Sequence, residues 1–87
     1  MPYSVEFEER ANRDLTRLDA QVSRRIRNRL DDLASQAETV SHRALTGPLR
    51  GLFRLRAGDY RIIYELDRGR RLIMVLRVEH RSEAYRR

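Results

Sequence analysis

The sequence predicts a single α+β domain in which helices cover one face of an antiparallel sheet. Two observations lead to this prediction: an amphipathic helical pattern fills much of the first half, and strand-like segments joined by short turns fill the second. A chain of 87 residues can build one hydrophobic core but not two. Residues 1–87 are therefore treated as one domain.

The chain begins with a strand and continues with helix. Tyr3, Val5 and Phe7 alternate with polar residues, which indicates a strand with one buried face. In residues 11–37 the apolar spacing changes to three and four, which is typical of an amphipathic helix. Asp19 can cap a second helix within this segment, but no glycine or proline forces a break there. The pattern alone leaves one helix or two open.

The second half predicts a loop followed by a three-stranded antiparallel meander. Residues 38–51 contain Gly, Pro, Ser and Thr with little periodicity, so we expect a connecting loop with His42 on its surface and without partners. The hairpin signals are Gly58-Asp59 and the segment 67–70. The predicted strands are residues 52–57, 60–66 and 71–78.

The first hairpin brings arginines together. If the chain turns at residues 58–59, Arg56 lies opposite Arg61, with Arg54 beside them. The same register pairs Ala57 with Tyr60, Leu55 with Ile62 and Phe53 with Tyr64 on the other face. Facing like charges cost roughly 0.2 to 1 kcal/mol. Either the two side chains extend into water or pair with Glu65, or they belong to a phosphate-binding patch on the open face of the sheet.

The charge of the chain favours an anionic partner. Its formal net charge is +6 and all 19 basic residues are arginine, which suits nucleic acid or an acidic protein segment. Arginine binds phosphate bidentately but stays protonated, so it is a poor proton acceptor. His80 can exchange a proton near neutral pH, although a lone histidine is more often structural or simply solvated. Tyr85 can stack on an RNA base or anchor the tail.

Composition also argues against several classes of protein. Without cysteine the chain has no disulfide, thiolate metal site or thiol nucleophile, and its two histidines are isolated. We therefore expect no metal and no cofactor. The apolar stretches are too short to span a bilayer and the N-terminus lacks a signal pattern, so we expect a cytoplasmic protein with no membrane partner.

Three segments resemble the RelE/ParE toxin superfamily of type II toxin–antitoxin systems. They are Leu45-Thr46-Gly47, the run from Gly51 to Glu65 and the ending from Val75 to Tyr85. The resemblance extends over residues 3–85. It implies two antiparallel helices in the first half of the chain, divided near Asp19.

The resemblance also implies an activity. The RelE branch cleaves messenger RNA on the ribosome by attack of a ribose 2'-hydroxyl on the adjacent phosphate, with basic residues in place of a metal. Arg61 resembles the arginine that steadies the phosphate, and Arg54 and Arg56 stand where relatives often have lysine. This departure from lysine, and a shorter spacing between Val78 and Tyr85 than in some members, leave the acid and base unassigned by resemblance. The candidate catalytic residues are Arg56, Arg61, His80, Arg81 and Tyr85, and the candidate RNA-contacting residues are Arg54, Arg56, Arg77 and Tyr85.

The most economical chemistry makes the arginines electrostatic clamps and His80 the proton-transfer group. We expect removal of Arg61 to lower the rate on the order of 10² to 10³. Because Arg61 faces Arg56, its removal should leave stability unchanged or slightly improved. The ParE branch shares the fold but inhibits DNA gyrase, and a basic module that only binds nucleic acid is a third reading. His80, Arg81 and Tyr85 near the C-terminus favour the ribonuclease.

The resemblance implies a set of partners as well. We expect a cognate antitoxin, a small acidic protein that covers the basic surface, together with the ribosome and messenger RNA. Operator DNA is expected only through the complex of toxin and antitoxin.

Overall fold

A five-stranded mixed sheet organises the computed structural model, which describes residues 2–84. The strands are β1 (Ser4–Phe7), β2 (Arg43–Ala44), β3 (Phe53–Ala57), β4 (Tyr60–Asp67) and β5 (Leu72–His80). Their order across the sheet is β1-β5-β4-β3-β2. β3, β4 and β5 form the predicted antiparallel meander, so the α+β fold class is confirmed. The sequence did not predict that β1 pairs parallel to β5 at one edge, or that β2 pairs with β3 at the other.

The helical segment is divided in two. The helices are α1 (Glu9–Thr16) and α2 (Ala20–Ser35), and a short α3 (Arg81–Ala84) follows the last strand. Asp19 caps α2, because its Oδ1 accepts a hydrogen bond of 2.9 Å from the backbone N–H of Gln21. The second helix that the pattern left open is therefore present and begins where Asp19 allows it.

The core lies between these helices and one face of the sheet. Apolar side chains of α1 and α2 pack against those of β3, β4 and β5, and each fully buried Leu or Ile contributes roughly 1.5–3 kcal/mol by its removal from water. The largest fully buried side chains of this core are Leu15, Ile26, Leu30, Ile62, Tyr64, Ile73 and Val75. Within residues 2–84, no helix is long and apolar enough to cross a membrane.

Helix side chains bond to the backbone of β3 and β5 beyond the points where the short edge strands β2 and β1 end. On the β3 side, Nε of Arg29 in α2 donates to the backbone carbonyl of Arg56 at 3.2 Å. On the β5 side, Oδ2 of Asp14 in α1 accepts from the backbone N–H of Val78 at 3.3 Å. These contacts satisfy backbone groups that β2 and β1 are too short to reach.

The prediction for His42 is wrong. His42 is half-buried, and its Nε2 donates to the carbonyl of Ala37 at 2.8 Å while Nδ1 accepts from the hydroxyl of Tyr64. Its ring also contacts Phe53, with 5.5 Å between centroids. Burial raises the pKa of Tyr64 to about 12. The predicted loop is not wholly irregular, since it contains β2 and a 3-10 helix (Gly47–Leu49), and its strand pairing brings His42 onto the core.

Candidate nucleic-acid interface

The first hairpin has the predicted register. Arg56 lies opposite Arg61, and the apolar partners on the other face are paired as expected. The two-residue turn requires a positive φ, which Gly58 supplies at +59°. Local turn chemistry therefore fixes the alignment of the two facing arginines.

A β-bulge sets the alignment of the second hairpin. Tyr64 pairs with Val75, but Ile63 pairs with Arg77, so Leu76 is an extra residue in β5. The shift of one residue carries through to the end of the strand and places Glu79 opposite Arg61. Without the bulge, the residue opposite Arg61 would be the apolar Val78.

The two hairpins together form two adjacent rows of side chains on the sheet face opposite the helices. One row is Arg54, Ile63 and Arg77, and the other is Arg56, Arg61 and Glu79. We call these six residues the arginine face. Four guanidinium groups and one carboxylate give it a formal charge of +3. The candidate RNA-contacting residues of β3 and β5 thus share one face with Arg61 of β4, a catalytic candidate.

Arg61 has a partner that the sequence did not indicate. Its Nη2 lies 3.1 Å from Oε1 of Glu79, and Nη1 of Arg77 lies 3.7 Å from Oε2 of the same carboxylate. Arg61 thus neither extends freely into water nor pairs with Glu65. Among residues 2–84, Glu79 is the one charged residue that is buried. The register of β5 is the signal that could have revealed this contact with Arg61. Because removal of Arg61 would weaken the compensation of a buried charge, a neutral or stabilising effect is no longer expected.

His80 does not lie with the arginine face. Successive side chains of a strand point to opposite faces, and His80 pairs with Tyr60 on the helix-bearing side, whereas Glu79 pairs with Arg61 on the other. The rings of His80 and Tyr60 are 5.2 Å apart at an angle of 85°. Nδ1 of His80 is 2.9 Å from the hydroxyl of Ser82. The role of His80 in proton transfer stays a prediction, and the structure separates it from Arg61 by the thickness of the sheet.

The other C-terminal candidates follow His80. Arg81 begins α3, its side chain is exposed, and its backbone N–H donates to the carbonyl of Asp59 at 2.7 Å. This bond ties the last helix to the β3–β4 turn. Tyr85 lies outside the described residues.

A cleft continues the basic surface around the edge of β3. It has a volume of about 220 Å³, and Leu55 and Tyr64 are among its lining residues. The arginines that line it are Arg29, Arg43, Arg54 and Arg56. Sequence reasoning missed the first two, because Arg29 is one of many arginines on α2 and Arg43 lay in a predicted loop.

Two helices on one sheet face and an arginine-rich surface on the other define a small toxin domain of the RelE/ParE type. The chain belongs to this family: residues 5–85 match the model described as "ParE toxin of type II toxin-antitoxin system, parDE". It is similar to Toxin RelG of Mycobacterium tuberculosis, with 35% identity over 88 residues that cover 100% of both chains. The resemblance recognised in the sequence is confirmed.

Solved structures give the same result for the fold. The toxin–antitoxin complex RelBE2 of Mycobacterium tuberculosis contains a chain with 32% identity and a TM-score of 0.82, over 94% of each chain. The archaeal RelE–RelB complex of Pyrococcus horikoshii contains one with 29% identity and a TM-score of 0.72, over 93% of this chain and 97% of that one. The protein is thus a toxin of the type II toxin–antitoxin class with RelE homologues.

Proposed function

We propose that this toxin is a metal-independent endoribonuclease that cleaves messenger RNA on the ribosome by attack of a 2'-hydroxyl on the adjacent phosphate. The observation that carries the proposal is the arginine face, where four guanidinium groups and one carboxylate from three strands share one surface. The similarity of this chain to Toxin RelG and to the toxin chain of the RelBE2 complex also supports the proposal.

The chemistry needs positive charge more than it needs a nucleophile from the protein. Attack by the 2'-hydroxyl gives a pentacovalent phosphorus that carries more negative charge than the starting diester. Fixed guanidinium groups stabilise that charge most where it develops. Arg61 binds the reacting phosphate, while Arg54, Arg56 and Arg77 bind the reacting or neighbouring phosphates along the strand.

We assign proton transfer to His80. This side chain is partly exposed beside the β3–β4 turn, on the face opposite Arg61. RNA that contacts both residues must therefore bend around the end of the sheet at this turn. Such a path suits single-stranded RNA, which bends readily, better than a duplex. Arg81 follows His80 in the chain and extends the same path. The stacking of Tyr85 on an RNA base stays a prediction.

The proposed partner that silences the toxin is a small acidic antitoxin. Both structural relatives named above are toxin–antitoxin complexes, and a formal charge of +6 favours an acidic segment laid over the arginine face. Operator DNA is then reached only through the complex. Co-expression with the adjacent reading frame should give a stable complex and relieve growth arrest. Failure of both would contradict this partner.

A second candidate function is inhibition of DNA gyrase without any nuclease activity. The family model that matches residues 5–85 is that of ParE, and His80 lies away from the arginines. A binding protein needs the basic surface but no proton-transfer group beside it.

One experiment distinguishes the two functions. The purified chain is incubated with translating ribosomes, and separately with gyrase and supercoiled plasmid, with Arg61→Ala as the control in both. The proposal expects transcript cleavage that Arg61→Ala loses, with gyrase unaffected. Gyrase inhibition without cleavage would establish the second function. Nucleic-acid binding without cleavage or gyrase inhibition would show that the chain only binds nucleic acid.

A further inference from the structure

Glu79 is a buried carboxylate within a basic surface. Its side chain is only 5% exposed, and it contacts Arg61 and Arg77, whose side chains are 24% and 28% exposed. The carboxylate stands at the end of the row that also contains Arg56. A negative charge is therefore placed where the approaching RNA phosphate would also be drawn.

Stability alone does not account for this carboxylate. The loss of hydration on burial largely offsets the attraction within a buried ion pair, so apolar replacements of such pairs are often neutral or stabilising. One residue of register separates Glu79 from Val78, which would face Arg61 if β5 had no bulge. The fold thus uses a register shift to place a charge where an apolar side chain was available next to it.

The contact geometry shows what the carboxylate does to Arg61. Nη2 is held by Glu79 at 3.1 Å, and Nε is buried without a hydrogen-bond partner within the described part of the chain. The ion pair with Glu79 therefore holds one guanidinium nitrogen directly, and burial of Nε leaves the planar group little freedom to turn away. The other oxygen of Glu79 reaches Arg77, so the two guanidinium groups are held at a set separation.

We propose that Glu79 is a positioning residue, which orients Arg61 and Arg77 for the reacting phosphate at the cost of weaker RNA binding. This inference rests on the proposed ribonuclease function. A carboxylate beside the phosphate site repels the RNA in every bound state, whereas the fixed orientation of Arg61 lowers the barrier to reaction. Loss of the charge should therefore change binding and cleavage in opposite directions.

The test compares Glu79→Gln with Glu65→Gln. Glu65 is exposed and lies on the same sheet face, so both variants change the net charge equally, but Glu65 has no ion pair with Arg61 or Arg77 among the described contacts. Affinity is measured with a short RNA that carries a 2'-deoxy nucleotide at the cleavage site. The rate is measured as single-turnover cleavage of the matching all-ribose RNA at saturating protein.

Glu79→Gln should bind the deoxy analogue about two- to fivefold more tightly, as expected for one unit charge at roughly 7 Å in water. Its maximal cleavage rate should fall on the order of 10- to 100-fold, the size of effect that a misplaced contact group produces. Glu65→Gln should bind the analogue slightly more tightly and cleave at the wild-type rate. Glu79→Asp keeps the charge but moves the carboxylate, so it should reduce the rate with unchanged affinity.

Parallel losses of affinity and rate that follow the fraction unfolded in a melting experiment would show a merely structural role and overturn the inference. A wild-type cleavage rate in Glu79→Gln would overturn it as well. If Glu79→Gln does not fold, Glu79→Asp decides, and an unchanged rate in that variant contradicts the positioning role. If the wild-type chain itself cleaves no RNA, the proposed function is contradicted. This result is distinct from the variant results above, which test only the role of Glu79.

Discussion

The imidazole of His80 packs edge-on against the ring of Tyr60, with 5.2 Å between centroids, on the sheet face that bears the helices. If His80 transfers a proton during cleavage, His80→Gln should flatten the dependence of the single-turnover rate on pH between about 5 and 8. Ser82→Ala is the control, because it removes the hydroxyl beside Nδ1 and keeps the imidazole. An unchanged pH profile in His80→Gln would assign proton transfer to another group.

Removal of Arg61 should affect both cleavage and folding. Arg61→Ala should lower the single-turnover rate on the order of 10² to 10³, as loss of one transition-state donor does. It should also destabilise the fold by about 1–3 kcal/mol, because Glu79 stays buried with one charged partner fewer. The measurements are cleavage at a temperature where the variant is folded, and chemical unfolding.

Arg56→Ala provides the matched control for Arg61. It removes the facing like charge, whose side chain is exposed and has no ion pair within residues 2–84. Its stability should be unchanged or higher by roughly 0.2–1 kcal/mol. If Arg61→Ala melts and cleaves like the wild type, the assignment of Arg61 is wrong.

The buried hydroxyl of Tyr64 should make stability sensitive to alkaline pH. Its pKa is raised from 10.0 to about 12, so the unfolded chain ionises this group first. The free energy of unfolding should then be insensitive to Tyr64 below about pH 10 and fall by roughly 1 kcal/mol by pH 11 on its account. Comparison of wild type and Tyr64→Phe by chemical unfolding at several pH values isolates this contribution from the other tyrosines. Equal pH dependence in both proteins would contradict the prediction.

Tyr64→Phe should also be less stable than the wild type at neutral pH. The hydroxyl donates to Nδ1 of His42, and its loss leaves that half-buried nitrogen without this donor. The expected cost is about 1–2 kcal/mol. A variant as stable as the wild type would show that water replaces the donor.

Cleavage should persist when divalent metal ions are chelated. The arginine face supplies positive charge at the phosphate. In other nucleases a metal ion stabilises the negative charge of the transition state in the same way. The measurement uses a short RNA in EDTA, since ribosomes themselves require magnesium. Loss of cleavage in EDTA that added Mg²⁺ restores would contradict a metal-independent mechanism.

The features that could be predicted from the sequence depend on local signals. A two-residue turn with Gly58 permits one register, so the facing pair of Arg56 and Arg61 followed directly. Asp19 was identified as a possible cap because an N-cap bond needs only the next two residues of the chain. Both features are fixed by a few neighbouring residues.

The features that escaped prediction depend on distant parts of the chain. No local sequence pattern indicates that Leu76 is an extra residue in β5. Without that bulge, Glu79 would not lie opposite Arg61. His42 looked like a surface residue because its partner Tyr64 lies 22 positions away in another strand. The charge balance of the arginine face and both of its described ion pairs could therefore not be predicted before the strand register was known.

The parallel pairing of β1 with β5 determines when, during synthesis, the arginine face can assemble. Ser4 meets Leu72, so the sheet cannot be completed during synthesis until the ribosome has released most of the residues between them and β5 itself. β5 also contributes Arg77 and Glu79. Under the proposed function, a growing chain has the arginines of β3 and β4 but not their assembled surface. An antitoxin therefore has time to be present when the last strand docks.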